Sequence, residues 1–121
     1  MLRVLFVEDE AFVRRACVRG LRRYFDIVEA VDGREALDLI EARSAFDVLV
    51  TDVQMPRLDG VMLIRELRER GHPLGTKVLV LTGDVERHAP ALRIWNIHPL
   101  GKPVPIGTLR IAVEQAARMG E

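Results

Sequence analysis

A parallel β-sheet with helices on both faces is the α/β fold class that this chain predicts. A short β-like apolar run followed by a helical apolar pattern recurs five times between Leu2 and Met119. The length, 121 residues, suits one domain with a real core and is too short for two, so residues 1–121 are expected to form a single module. Three of the strand-like runs also end in oxygen-bearing side chains, and a fourth ends in a lysine, which is where open α/β sheets collect their ligands.

Val4-Leu5-Phe6-Val7 is the first strand and ends in Glu8-Asp9-Glu10. The first helix is expected over about residues 11–25, with Phe12, Val13, Ala16, Cys17, Leu21 and Tyr24 at three- and four-residue spacing as its apolar stripe. Arg14, Arg15, Arg19, Arg22 and Arg23 fill much of its remaining surface. Ile27-Val28-Glu29-Ala30 is a second strand, placed at an edge. Asp32 caps a helix over residues 33–42, whose Ala36, Leu37 and Ile40 share one side. Phe46-Asp47-Val48-Leu49-Val50-Thr51 is a strand ending at Asp52. A third helix spans residues 61–70 and stops near Gly71-His72-Pro73. Val78-Leu79-Val80-Leu81 ends in Thr82, and a fourth helix over residues 85–95 is expected to be interrupted early by Pro90. Leu100-Gly101 is the last strand segment, followed by Lys102-Pro103. Pro105 opens a final helix with the core stripe Ile106, Leu109, Val113 and Ala116.

Lys+Arg and Asp+Glu each total 18, so no global field attracts nucleic acid or an anionic membrane, and partners must be recognised locally. One cysteine, Cys17, excludes an intramolecular disulfide and is read as a buried small hydrophobe. No signal peptide and no membrane-length apolar run are visible, so the chain reads as soluble and cytoplasmic. His72, His88 and His98 lack metal-ligand spacing.

A carboxylate at the tip of a buried strand needs a chemical reason. Glu8, Asp9 and Asp52 brought within a few ångströms would repel by about 4 kcal/mol per pair at an effective dielectric near 20, so the cluster favours a bound cation. An all-oxygen set without His or Cys selects a hard ion, and few carboxylates with room for water and phosphate favour Mg²⁺ over Ca²⁺, with Mn²⁺ expected to substitute. The same ion would neutralise a phosphoryl group moving in line onto Asp52, while Lys102 and the Thr82 hydroxyl supply donors to its oxygens. Gly83 leaves room beside the site, and Gly60 suits a tight turn closing the loop that starts at Asp52.

Leu5-Phe6-Val7-Glu8-Asp9-Glu10, Asp52-Val53-Gln54-Met55-Pro56-Arg57-Leu58-Asp59-Gly60, Val80-Leu81-Thr82-Gly83 and Leu100-Gly101-Lys102-Pro103 stand in the order and spacing of known motifs. Through them the whole chain resembles the receiver domains of two-component response regulators. The resemblance implies a flavodoxin-like doubly wound sheet of five strands in order 2-1-3-4-5, with five helices. It implies Asp52 as the phosphoacceptor and Asp9 and Asp52 as direct Mg²⁺ ligands, with Glu8 acting through water and the Gln54 backbone carbonyl completing the protein's share. It also implies Thr82 and Lys102 as phosphoryl contacts, Gln54 and Asp84 as positions that tune phosphoryl lifetime, and a cis peptide before Pro103. The partners so implied are a histidine kinase or histidine phosphotransfer protein, a downstream protein, and a homodimer formed through the fourth helix, fifth strand and fifth helix. Arg14, Arg15 and Trp95 are the candidates for a partner surface.

The chain departs from the family pattern in two places. Pro99, beside His98, stands where receivers usually carry Tyr or Phe, the aromatic whose rotation accompanies a shift of the threonine. Trp95-Asn96 stands where a Gly-Ala pair is common. Chemistry at Asp52 is therefore expected to be intact while the usual output route is not. Two other function classes compete. A degenerate receiver acting as a phosphorylation-independent interaction domain is favoured by Pro99 and opposed by the complete acidic set. A haloacid-dehalogenase-like phosphatase needs a second acid two residues after its aspartyl nucleophile, and here that residue is Gln54, with no cap domain. A signalling phosphoacceptor with only modest self-catalysed chemistry, not an enzyme, is the expectation. No recognition-helix domain follows Met119, so DNA binding by this chain alone is not expected, and a stand-alone regulator and a fragment of a hybrid kinase or longer regulator both fit the sequence.

Overall fold

The computed structural model describes residues 1–42 and 45–119, so the predicted span 1–121 includes four residues outside the described ones. The strands are β1 (Arg3–Val7), β2 (Asp26–Ala30), β3 (Val48–Asp52), β4 (Val78–Thr82) and β5 (Leu100–Gly101). The helices are α1 (Ala11–Leu21), α2 (Gly33–Ala42), α3 (Gly60–Glu69), α4 (Val85–Leu92) and α5 (Ile106–Ala116). All strand pairs are parallel, in the order β2-β1-β3-β4-β5, as expected.

The strands read as near-continuous apolar runs because both faces of the sheet are covered. Successive side chains go to opposite faces. Val4, Phe6, Val48, Val50, Leu79 and Leu81 pack with Val18 and Leu21 of α1 and Leu109, Val113 and Ala116 of α5. Leu5, Val7, Leu49, Val78 and Val80 pack with Ala36, Leu37 and Ile40 of α2, Leu63, Ile64 and Leu67 of α3, and Leu92 of α4.

Three element-level expectations change. Helix α1 ends at Leu21 and is rotated from the predicted stripe: Phe12 is 83% exposed and Ala16 is exposed, while Val18 and Leu21 are the residues in the core. Cys17 is half-buried, not buried. Helix α4 runs through Pro90 to Leu92 and passes into a 3₁₀ turn at Arg93–Trp95; near the helix end the missing proline N–H removes only one bond of the ladder. Asn96 follows in the left-handed region at φ 56°, which asparagine tolerates better than most residues.

Asp32 is buried and accepts the Glu35 N–H at 2.8 Å, so the predicted cap of α2 is present. The Lys102–Pro103 peptide is cis, as the resemblance implied.

Candidate functional site

The site is assembled by strand register. Val7 of β1 lies beside Thr51 of β3, so Glu8 emerges next to Asp52; Asp52 lies beside Leu81, and Thr82 beside Gly101, so Thr82 and Lys102 emerge at the same edge. The winding reverses between β1 and β3, which puts the cluster at the switch point of the sheet.

One carboxylate oxygen each from Glu8, Asp9 and Asp52 lies within 4.8 Å of the others. Glu8 and Asp52 are buried and Asp9 is exposed. Lys102 bridges the buried pair: its Nζ donates to Glu8 Oε1 at 2.7 Å and to Asp52 Oδ2 at 3.0 Å. The other Asp52 oxygen, Oδ1, accepts the Val53 N–H at 2.7 Å. Partial desolvation raises the Asp9 carboxyl above its usual range, and the neighbouring Glu8 carboxylate adds to this by hydrogen bonding and by charge. For Lys102, burial acts to lower the ammonium, but its bonds to Glu8 and Asp52 outweigh that and the net direction is upward. The all-oxygen donor set and its excess negative charge fit a hard divalent cation.

Supporting residues hold this arrangement in place. Asp59 accepts the Met62 N–H at 2.8 Å as the N-cap of α3, and the Gly60 N–H donates to the Val53 carbonyl at 2.8 Å. Gly60 is required by close approach rather than by a turn: a Cβ there would run into the Asp52 carbonyl oxygen. Arg57, at φ 69°, reaches Asp32 at 2.7 Å and ties the loop after β3 to the start of α2. Gln54, the implied carbonyl ligand and tuning residue, is exposed two residues beyond Asp52. Asp84, the other tuning position, caps α4 by accepting the Arg87 N–H at 3.1 Å.

The candidate partner residues divide. Arg15 is exposed on α1. Arg14 is not a free surface group, because it donates to the Glu8 carbonyl at 2.8 Å and to Glu29 at 3.1 Å, pinning the acidic loop from the side. Trp95 is half-buried, packs on the α2–α3 core and lies under Arg68, whose guanidinium carbon is 5.6 Å from the ring centroid. Two contacts escaped sequence reasoning altogether. Arg14 gave no signal apart from the other helix arginines. His88 brings Nδ1 to 2.6 Å from the Thr82 hydroxyl, and its only trace in the sequence is a position one turn into the helix that follows Thr82.

The model of the response regulator receiver domain family matches residues 4–114, and the chain belongs to that family. Among curated proteins it is 38% identical over 109 residues to the response regulator MprA of Mycolicibacterium vanbaalenii, covering 89% of this chain and 47% of that protein. It is 38% identical over 118 residues to the sensor kinase CckA of Brucella abortus, covering 93% of this chain and 12% of that one. The chain thus spans half or less of the length of these relatives. Among solved structures, a Francisella response regulator 1452 receiver domain superposes with a TM-score of 0.85 at 29% identity, covering 98% of each chain. The receiver domain of the hybrid histidine kinase CckA superposes with a TM-score of 0.75 at 36% identity, covering 96% of this chain and 99% of that one. The receiver fold and a place in two-component signalling follow; neither the interaction-only nor the phosphatase alternative is favoured.

Proposed function

We propose that this receiver takes a phosphoryl group from a phosphohistidine-bearing protein onto Asp52 in a Mg²⁺-dependent reaction, and that the charge gained switches its affinity for a downstream partner. The observation that carries this is Asp52 at the end of β3, within 4.8 Å of two other carboxylates and 3.0 Å from the Lys102 ammonium. An Asp52 carboxylate oxygen attacks phosphorus, the O–P bond of an acyl phosphate forms as the donor's P–N bond breaks, and the leaving imidazole takes up a proton. Lys102 and the Thr82 hydroxyl stabilise charge on the peripheral phosphoryl oxygens. Mg²⁺ held by Glu8, Asp9, Asp52 and the Gln54 carbonyl would neutralise the remaining charge.

The added charge, about −1.5 to −2, is what biases the two conformations. The protein acts as a signalling phosphoacceptor, not as a turnover enzyme, and works in the cytoplasm beside its kinase. An apolar groove of about 590 Å³ bordered by Phe12, Val13, Cys17, Lys102, Val104 and Ile106 lies next to the site and offers a donor protein its seat, with Arg15 exposed on the same helix.

The test is the intact mass after incubation with acetyl phosphate, with and without Mg²⁺. A gain of about 80 Da, one phosphoryl group, is expected only with Mg²⁺ and only in wild type. Asp52→Ala should remain folded and take no label; a labelled Asp52→Ala protein overturns the assignment.

A further inference from the structure

We infer that His88 is a positioning residue that holds the Thr82 hydroxyl in the resting protein, so that occupation of Asp52 is transmitted to α4 through the release of His88. The inference rests on the phosphoacceptor reading of Asp52. Thr82 is buried, 1% exposed, and its oxygen accepts the Asp84 N–H at 3.0 Å. A threonine hydroxyl carries one proton. The Asp84 N–H fills one of the oxygen's two acceptor sites, and in the arrangement we infer the proton goes to His88 Nδ1, 2.6 Å away, with the ring protonated at Nε2.

The arrangement is exclusive. A proton given to His88 is not available to an oxygen on Asp52, which pairs with Leu81, the residue before Thr82, on the neighbouring strand. A hydrogen bond to an anionic phosphoryl oxygen is stronger than one to a neutral ring nitrogen. Phosphorylation therefore draws the Thr82 proton away from His88 and leaves the ring without its partner.

His88 is carried by an element suited to respond. Helix α4 has eight residues, of which Leu92 alone is buried, and Pro90 has no N–H for the Glu86 carbonyl. Pro99 stands where the family usually carries an aromatic, and its ring, closed onto the backbone, cannot rotate. His88 supplies a route from Thr82 to the α4 surface that does not need that rotation.

Two measurements test this. The first is ¹⁵N NMR of the imidazoles with and without beryllofluoride and Mg²⁺. His88 is expected as the Nε2-protonated tautomer, with an Nδ1 signal that moves in Thr82→Val and on beryllofluoride binding. The second is the initial rate of labelling by acetyl phosphate. Removing the competing acceptor in His88→Ala or His88→Phe should raise it about fivefold, the equivalent of one net hydrogen bond. His88→Asn, which can place an acceptor oxygen near the same point, should fall back toward the wild-type rate, and in a Thr82→Val background His88→Ala should have no effect. A resting ring protonated at Nδ1, an unchanged rate in His88→Ala, or an equal rate change with and without Thr82 overturns the inference while leaving Asp52 as the acceptor. A wild type that takes neither label nor beryllofluoride overturns the phosphoacceptor reading itself, whereas the dependence of the ring signal on Thr82 still reports the contact on its own.

Discussion

Replacing Lys102 by methionine keeps most of the side-chain length and removes the one ammonium that bridges Glu8 and Asp52. At an effective dielectric of ~20 the attraction lost is about 6 kcal/mol to Glu8 at 2.7 Å and about 5.5 kcal/mol to Asp52 at 3.0 Å. Those gross values are offset by the desolvation of the ammonium, which is 23% exposed, and of carboxylates that are 4% and 12% exposed. What remains in the variant is two buried carboxylates with oxygens no more than 4.8 Å apart, a repulsion of roughly 3.5 kcal/mol that uptake of a proton can partly relieve. The net expectation for Lys102→Met without divalent cation is a loss of ~2–4 kcal/mol, at the scale of a buried pair broken on one side.

On the proposed function Mg²⁺ would supply positive charge to the same carboxylates and should therefore stabilise the variant more than the wild type. Urea unfolding followed by circular dichroism and by the fluorescence of Trp95, the single tryptophan, with EDTA or with Mg²⁺, measures both quantities. Equal stability of the two proteins in EDTA, or an equal gain from Mg²⁺ in both, would refute the picture of a cluster short of positive charge.

Two further substitutions probe the frame of the site. Gly60→Ala forces a Cβ against the Asp52 carbonyl, which is backbone and cannot step aside, so a loss of about 3 kcal/mol is expected, with labelling slowed roughly tenfold or more by displacement of Asp52. Gly83→Ala is its control, since a Cβ there meets nothing within 4 Å and should change stability by less than ~0.5 kcal/mol in the same urea titration. Asp32 is held below the usual carboxylate range chiefly by its hydrogen bond from Arg57. The stability it contributes is present above the unfolded-state pKa and is lost as pH falls through the depressed folded value. Asp32→Asn, which keeps a capping acceptor, should therefore cost less than ~1 kcal/mol at neutral pH and nothing once the pH is below that value, as read by urea midpoints across an acid series.

Much of the site was legible because each of its parts is local. Glu8, Asp9, Asp52, Thr82 and Lys102 follow apolar runs directly, and in a parallel sheet every strand end arrives at the same edge. Their convergence could be argued before any distance was known. Helix α1 was less legible: apolar residues occupy much of its circumference, so the pattern alone did not tell which of Phe12, Ala16 and Val18 faces the core. The docking of α1 against the sheet beside α5 decided it, leaving Phe12 and Ala16 at the groove. Arg14 was one of five similar arginines until the fold put it under the Glu8 carbonyl.

The sequence by itself determined the alternation of strands and helices and the residue types at the strand ends, because periodicity and residue type are properties of short stretches of chain. Only the tertiary structure decided the contacts between side chains on different elements: Lys102 between Glu8 and Asp52, 94 and 50 residues away, and Arg57 on Asp32. It also decided the contact between Thr82 and His88, because residues six apart in sequence met only once α4 had docked on the sheet. Such distances depend on how rigid elements dock, and no local pattern encodes them.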